Sequence, residues 1–206
     1  MNDSLVKVLD ELENRSNLEK ERKIDVKRED RMLAITKDTG QFFNLLLHSR
    51  KAKNMLEIGT SVGYSTIWCA EAIKQNSGKI ITIEANESKI KRAKENFARA
   101  KVDDIISIKN GYAIDVLESM KNQKEFESLF DFVLLDADKE NTLNYFNLIL
   151  PMTKVGGIIL IDNMLYPEKY REEMSKVEQE IKSNSKVRCV LIPIGNGEEL
   201  ITKLSE

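Results

Sequence analysis

FDFVLLDADKENTLNYFNLILPMTKVGGIILIDN, residues 130–163, contains a strand, a helix and a second strand in succession. DFVLLDA and GGIILIDN are short apolar runs of strand length, and NTLNYFNLIL between them carries helical spacing. Two strands joined through a helix pair in parallel, and their last residues then share the sheet's carboxyl edge. Those last residues are Asp136 on one strand and Asp162 with Asn163 on the other. Two carboxylates and an amide oxygen converging at one edge suit a hard divalent cation such as Mg²⁺. Singly, each is better explained as a loop or helix cap, and it is the threesome that favours a metal. Lys139 follows the first strand and places an amine beside that edge.

The rhythm extends in both directions. Towards the amino terminus, NMLEIG, KIITIEA and DIISIKN are strands, alternating with helices over YSTIWCAEAI, NESKIKRAKENFARA and Ala113–Met120. Asn86 is the expected N-cap of the second of these helices, with Ile90, Ala93 and Phe97 facing inward. Towards the carboxyl terminus, a charged helix is expected from Glu168 to about Ser183. KVRCVLIPI, a Gly195-Asn196-Gly197 turn and ELITKL then form an antiparallel hairpin. Five β-α units and a hairpin predict an α/β fold, a doubly wound, mostly parallel seven-stranded sheet. Residues 1–206 read as one domain, with a helical cover over 1–50 and the α/β core over 51–206.

In the cover, Leu5, Val8, Leu9 and Leu12 recur at helical spacing within a segment dense in both charges. That predicts one or two amphipathic helices over 3–31, acting as an exposed cover or a dimer contact. A further helix is expected from about Thr39 to Arg50, burying Phe42, Phe43, Leu45, Leu46 and Leu47.

Composition narrows the function. With 41% hydrophobic and 32% charged residues and a net charge of −2, the chain has a globular balance and no basic excess for nucleic acid. Its two cysteines, Cys69 and Cys189, have neither metal-ligand spacing nor a disulfide framework. No apolar run reaches membrane-spanning length, and a cytoplasmic location is expected. The only histidine, His48, and Trp68 and Cys69 read as structural. Met164 and Tyr166 follow Asn163 and could touch a substrate, but nearness along a loop is too weak a reason to count them in the site.

The turn Gly59-Thr60-Ser61-Val62-Gly63 follows the first strand, where glycine permits close ligand approach and helix-start amides can face a ligand. Its G-x-x-x-G spacing is not the G-x-G-x-x-G of dinucleotide folds, which argues against a dehydrogenase, and a plain tight turn explains it equally well. Glu57 is an acid on an apolar strand, costly unless paired. Glu84 ends the second strand, where a carboxylate can accept both hydroxyls of a ribose. Together these favour an adenosine-bearing ligand.

MLEIGTSVGYS, ITIEAN, GYAIDVL, FVLLDADKEN and GGIILIDN, with TKDTGQF before them and IPIGNG after, resemble in order and spacing the cation-dependent O-methyltransferases. That family contains catechol and caffeoyl-CoA O-methyltransferases, its cofactor is S-adenosylmethionine, and the likeness covers roughly residues 33–203. The resemblance implies a class I methyltransferase fold and a set of roles. Glu57, Gly59 and Thr60 line the methionine part of the cofactor, Ser61 and Gly63 shape the turn, and Ser65 hydrogen-bonds the carboxylate end. Glu84 holds the ribose, Ala113 lies near the adenine, Asp138 reaches the cofactor amino group and Ile35 contacts the cofactor from the preceding segment. Asp136, Asp162 and Asn163 hold the cation, with Mg²⁺ favoured over Mn²⁺ or Ca²⁺, and Asp136 also borders the cofactor.

Methyl transfer to oxygen needs a deprotonated hydroxyl in line with the methyl group. Two adjacent hydroxyls on an aromatic ring can chelate a cation, which acidifies the reacting one. Lys139 would take the proton, since a nearby cation favours the neutral amine. Catechol enzymes carry bulky ring residues where this chain has Ala137-Asp138. The plant caffeoyl-CoA enzymes match DADK but have a longer insertion after the DN pair than NMLYPEKYREE. The expected acceptor is a small catechol-like or caffeoyl-type phenolic, with tRNA hydroxyuridine as the alternative and a homodimer as the form relatives suggest. A non-catalytic binding module would predict a broken metal set or a missing lysine, and neither occurs.

Overall fold

The computed structural model describes residues 2–206; residue 1, where the expected domain begins, lies outside them. Seven strands form one sheet: β1 Asn54–Ile58, β2 Lys79–Glu84, β3 Ile106–Asn110, β4 Phe130–Leu135, β5 Thr153–Ile161, β6 Val187–Ile192 and β7 Glu198–Lys203. The helices are α1 Asp3–Lys20, α2 Lys37–Arg50, α3 Tyr64–Gln75, α4 Glu87–Ala100, α5 Ala113–Lys121, α6 Thr142–Ile149 and α7 Arg171–Ser183.

Strand order is β3-β2-β1-β4-β5-β7-β6, parallel throughout except for β7, which lies between β5 and β6 and opposes both. The chain starts at β1, moves outward to β3, then returns to place β4 on the other side of β1. The order therefore reverses between β1 and β4, and the carboxyl ends of those strands flank the crevice where open α/β sheets bind ligands.

Side chains alternate across the sheet as strand geometry demands. Met55, Phe132, Leu134, Ile158 and Leu160 enter one core with α1 to α4, and Leu56, Val133, Leu135, Ile159 and Ile161 enter the other with α5 to α7. Two layers of helices on a central sheet match the predicted doubly wound fold.

Several expected elements differ in detail. α2 begins at Lys37 rather than Thr39, because the Thr36 hydroxyl accepts the Thr39 amide at 3.2 Å and caps the helix earlier. Leu45 is 67% exposed instead of buried, since Phe43 and Leu47, four residues apart, share the core-facing side and Leu45, two residues from each, falls on the opposite side of the helix. The charged helix opens with a 3₁₀ turn over Glu168–Tyr170, so α7 starts at Arg171. In the cover, one long helix forms and a short 3₁₀ turn at Arg28–Asp30 follows. Its Leu5, Val8, Leu9 and Leu12 are buried in the same core as α3 and α4, so that stripe is spent within the chain and not on a second copy.

At the amino edge, Asp131 ties β1 to β4 and β5. Its carboxylate accepts the Lys53 and Asn54 amides at 3.0 and 2.8 Å and the Lys154 ammonium at 2.8 Å. Burial pushes the carboxyl up, but the Lys154 bond and the two amides outweigh it and hold it below its ordinary range. Such a group stabilises the fold above the unfolded carboxylate range and stops doing so as pH falls through its lowered native value. Asp131→Ala is therefore expected to cost about 1–3 kcal/mol at pH 7. Urea unfolding at a series of pH values should show that gap narrowing in acid; a gap independent of pH would discard the assignment.

Candidate active site

The glycine turn after β1 is built on close approach. Gly59 has φ +101°, and a Cβ there would stand 1.9 Å from the Asp136 carbonyl oxygen on β4. Gly63 has φ +88°, and a side chain on it would strike the Phe97 ring. The amides of Gly59 and Thr60 both donate to the Ile83 carbonyl at 3.1 Å, fixing the turn to β2.

Glu57 lies beneath this turn, fully buried. It accepts the hydroxyls of Ser65, Thr66 and Thr82 at 2.6, 2.5 and 2.6 Å. Burial pushes its carboxyl above the usual range and the three hydroxyls hold it back. These bonds satisfy the buried acid and lock β1, β2 and the start of α3 together. Ser65 is thus committed to Glu57, and Thr60 shares a 2.6 Å hydroxyl contact with Thr82.

A cleft of about 470 Å³ opens above the turn, at the carboxyl ends of β1, β2, β4 and β5. Of the predicted site residues, Gly59, Ser61, Glu84, Ala113, Asp136, Asp138, Lys139 and Asn163 line it. Glu57, Thr60, Gly63 and Ser65 support the turn from below and are not on its wall, Asp162 lies buried behind it, and Ile35 is packed into the hydrophobic core. Glu84 accepts amides from Ser61, Ala85 and Asn86 at 2.8, 3.0 and 2.9 Å, which fixes its carboxylate at the cleft and leaves about one of its roughly four acceptor positions open.

Across the cleft, Asp136 follows β4 and Asp162 follows β5. The parallel register Leu135 to Ile161 puts them next to one another. Lys139, only 8% exposed, sets its ammonium 3.6 Å from Asp136 Oδ1 and donates to the Asp162 carbonyl at 3.2 Å. Burial, with the Asp162 charge adding to it and Lys139 opposing, pushes Asp136 up to about 7. Asp162 is also pushed up by burial, and its Oδ1 accepts the Asn163 amide at 2.6 Å. Asn163 takes φ +65°, turning the chain sharply away from β5. Among the described residues, no three His, Cys, Asp or Glu side chains stand close enough to hold a metal ion as they are. The chemistry of the donors nonetheless fits a hard cation: two crowded, buried carboxyl groups with oxygen donors, beside the Asn163 amide and drawn to a lysine amine.

Asp138 is exposed and held from both sides, accepting the Tyr145 hydroxyl at 2.6 Å and the Asn141 amide at 2.5 Å. The sequence reading did not single out Tyr145, although its place seven residues beyond Asp138 on α6 was available. It also passed over Glu198, which is fully buried at the start of β7. Burial, with Asp162 and Asp136 beside it, pushes that carboxyl up to about 12. His48 pairs with Glu71 at 2.8 Å away from the cleft, and Trp68 and Cys69 are core, as expected. Met164 is buried and Tyr166 is exposed, and neither lines the cleft; Pro167 and Tyr170 do.

A parallel sheet with one antiparallel insertion, a glycine turn after β1 and acids ending β2, β4 and β5 define a Rossmann-like methyltransferase architecture. A family profile described as O-methyltransferase matches residues 10–204. A caffeoyl-CoA O-methyltransferase of Petroselinum crispum is 29% identical over 199 residues, 89% of this chain and 82% of that one. Caffeoyl-CoA O-methyltransferase 3 of Nicotiana tabacum is 30% identical with the same coverage of both chains. Among solved structures, an O-methyltransferase from Bacillus cereus in complex with SAH aligns with TM-score 0.79 and 27% identity, over 98% of this chain and 91% of that one. TomG of Streptomyces achromogenes shares the fold at TM-score 0.79 and 24% identity, over 100% of this chain and 91% of that one. The chain belongs to the O-methyltransferase family and is an enzyme of the methyltransferase class.

Proposed function

We propose that this protein transfers the methyl group of S-adenosylmethionine to a hydroxyl of a small catechol-like or caffeoyl-type phenolic, with the help of a divalent cation. One observation carries the proposal: a single cleft joins the glycine turn and Glu84 to Asp136, Lys139 and Asn163. The SAH-bound Bacillus cereus structure and the caffeoyl-CoA enzymes among the relatives agree with it.

Asp136, Asp162 and Asn163 would hold the cation, and Glu84 and Asp138 would hold the cofactor's ribose and amino group. When bound, the cation acidifies a chelated hydroxyl and the cofactor's sulfonium offers an activated methyl group. The protein's part is positional and protolytic. Gly59, lacking a side chain, lets a ligand lie against the gap between β1 and β4. Tyr145 and Asn141 fix Asp138, and Glu57 fixes the turn, so the donor end is preorganised before binding. With a cation bound and its amine neutral, Lys139 would accept the acceptor's hydroxyl proton at Nζ, and its burial keeps competing water away.

Labelled S-adenosylmethionine offered with catechols, caffeoyl thioesters and hydroxyuridine-containing tRNA, in Mg²⁺ or in EDTA, tests the reading. Label should enter a diol phenol and fall to background with EDTA. Transfer that ignores EDTA removes the cation from the mechanism, and label in tRNA alone replaces the acceptor.

A further inference from the structure

We propose that Glu198 becomes a third carboxylate of the cation site once a bound dication draws the three acids together, since as they stand they are not gathered around one point; the inference rests on the metal-dependent reading above. Its place follows from strand register. β4 and β5 pair Leu135 with Ile161, and β5 and β7 pair Ile161 with Glu199. One step further along, Asp136, Asp162 and Glu198 fall in a single row across three neighbouring strands. Because side chains alternate, all three point to the same face. Glu199, on the opposite face, is acted on by Cys189, Glu178 and Lys182 instead.

The start of β7 is also tied to the segment carrying Asn163. The Met164 amide donates to the Gly197 carbonyl at 3.0 Å, and the Leu165 amide to the Asn196 carbonyl at 2.8 Å. Glu198 is therefore held against the strand ends by backbone bonds, independently of its own side chain.

Among the described residues, the only side-chain group that meets the Glu198 carboxyl is another acid, Asp162. Glu198 is 0% exposed, and neither carboxyl oxygen receives a hydrogen bond from an N–H or O–H group. The charged groups acting on it are Asp162, Asp136 and Lys139, and a bond between two carboxyls would require a proton held between them. A buried acid without a donor is costly, so its presence calls for a ligand that compensates it. Ionised together, Asp136, Asp162 and Glu198 would place up to three negative charges side by side at one sheet edge. A bound dication would offset them, whereas an anionic or neutral ligand would not.

Mn²⁺ added to the full chain tests this, with free Mn²⁺ followed by electron paramagnetic resonance. Glu198→Gln keeps the shape and removes the charge, and is expected to weaken Mn²⁺ binding by about 10–100-fold. Glu199→Gln, on the other face, should bind as the parent does, and Glu198→Asp should recover part of the loss. Thermal melts supply a second readout: without metal Glu198→Gln should melt no lower than the parent, and with Mn²⁺ it should gain less. Equal Mn²⁺ affinity in Glu198→Gln and the parent overturns the inference while leaving the metal site standing. So does a Glu198→Gln chain that fails to fold, since the role would then be structural. A parent chain that binds no Mn²⁺ defeats the metal-dependent reading and this inference together.

Discussion

Lys139→Met is expected to lower kcat by about 10²–10⁴-fold, the range a positioned general base contributes. S-adenosylmethionine binding should persist. The substitution keeps the length and apolar stem of the side chain and deletes only the amine. That amine is buried, 3.6 Å from Asp136 and 3.2 Å from the Asp162 carbonyl, at the end of the cleft away from Glu84. A surface lysine would show nothing of the kind, and its loss would leave turnover alone. Because the ammonium also offsets Asp136, the variant should melt below the parent, so its fold and cofactor affinity must be measured beside its rate. Calorimetric cofactor binding with single-turnover methyl transfer separates the possibilities. Near-normal turnover in a folded, cofactor-binding Lys139→Met chain would remove Lys139 from the chemistry. Loss of cofactor binding would instead place it in the binding of the donor.

Gly59→Ala has the largest expected effect on the architecture. A residue at φ +101° with a side chain carries backbone strain of about 1–3 kcal/mol. The added methyl would also stand 1.9 Å from the Asp136 carbonyl oxygen, an atom of the neighbouring strand's backbone that no rotamer change can move. Overpacking of this sort costs about 1–3 kcal/mol more, so the sum of about 2–6 kcal/mol consumes much of the 5–15 kcal/mol typical of a domain. Opening β1 from β4 would also shift Asp136 and Lys139, so cofactor binding and metal binding should fall together. Gly156→Ala is the control. Its φ is +80°, but the nearest atom to a new Cβ is an Arg50 side-chain nitrogen at 3.8 Å, so it carries the strain without the collision. Thermal melts of the two variants measure the collision by difference. If both melt alike, and Gly59→Ala still binds cofactor, the close approach of β1 and β4 is not what the glycine serves.

The alternation of short apolar runs with helical spacing determined the doubly wound sheet, its hairpin and the placing of Asp136, Asp162, Asn163 and Glu84 at strand ends. These are local properties: a strand's last residue is at the sheet edge whatever else the chain does. Leu45 was less legible, because a run of adjacent leucines is wider than the stripe a helix buries, and the neighbouring helix selects which of them it covers. Glu57 shows the same limit in another form. Its cost as a buried acid was visible, but Ser65, Thr66 and Thr82 meet it only once β1, β2 and α3 have packed.

The sequence by itself thus determined which side chains end which strands and what chemistry they offer. Only the tertiary structure decided that Ile35, Glu57, Thr60, Gly63 and Ser65 stand behind the cleft wall, and that Tyr145 holds Asp138. It alone decided that Glu198 rather than Glu199 joins the acids of β4 and β5. The physical reason is register: neighbouring residues on a strand face opposite sides of the sheet, and which side meets which partner is set by pairing between segments far apart in the chain.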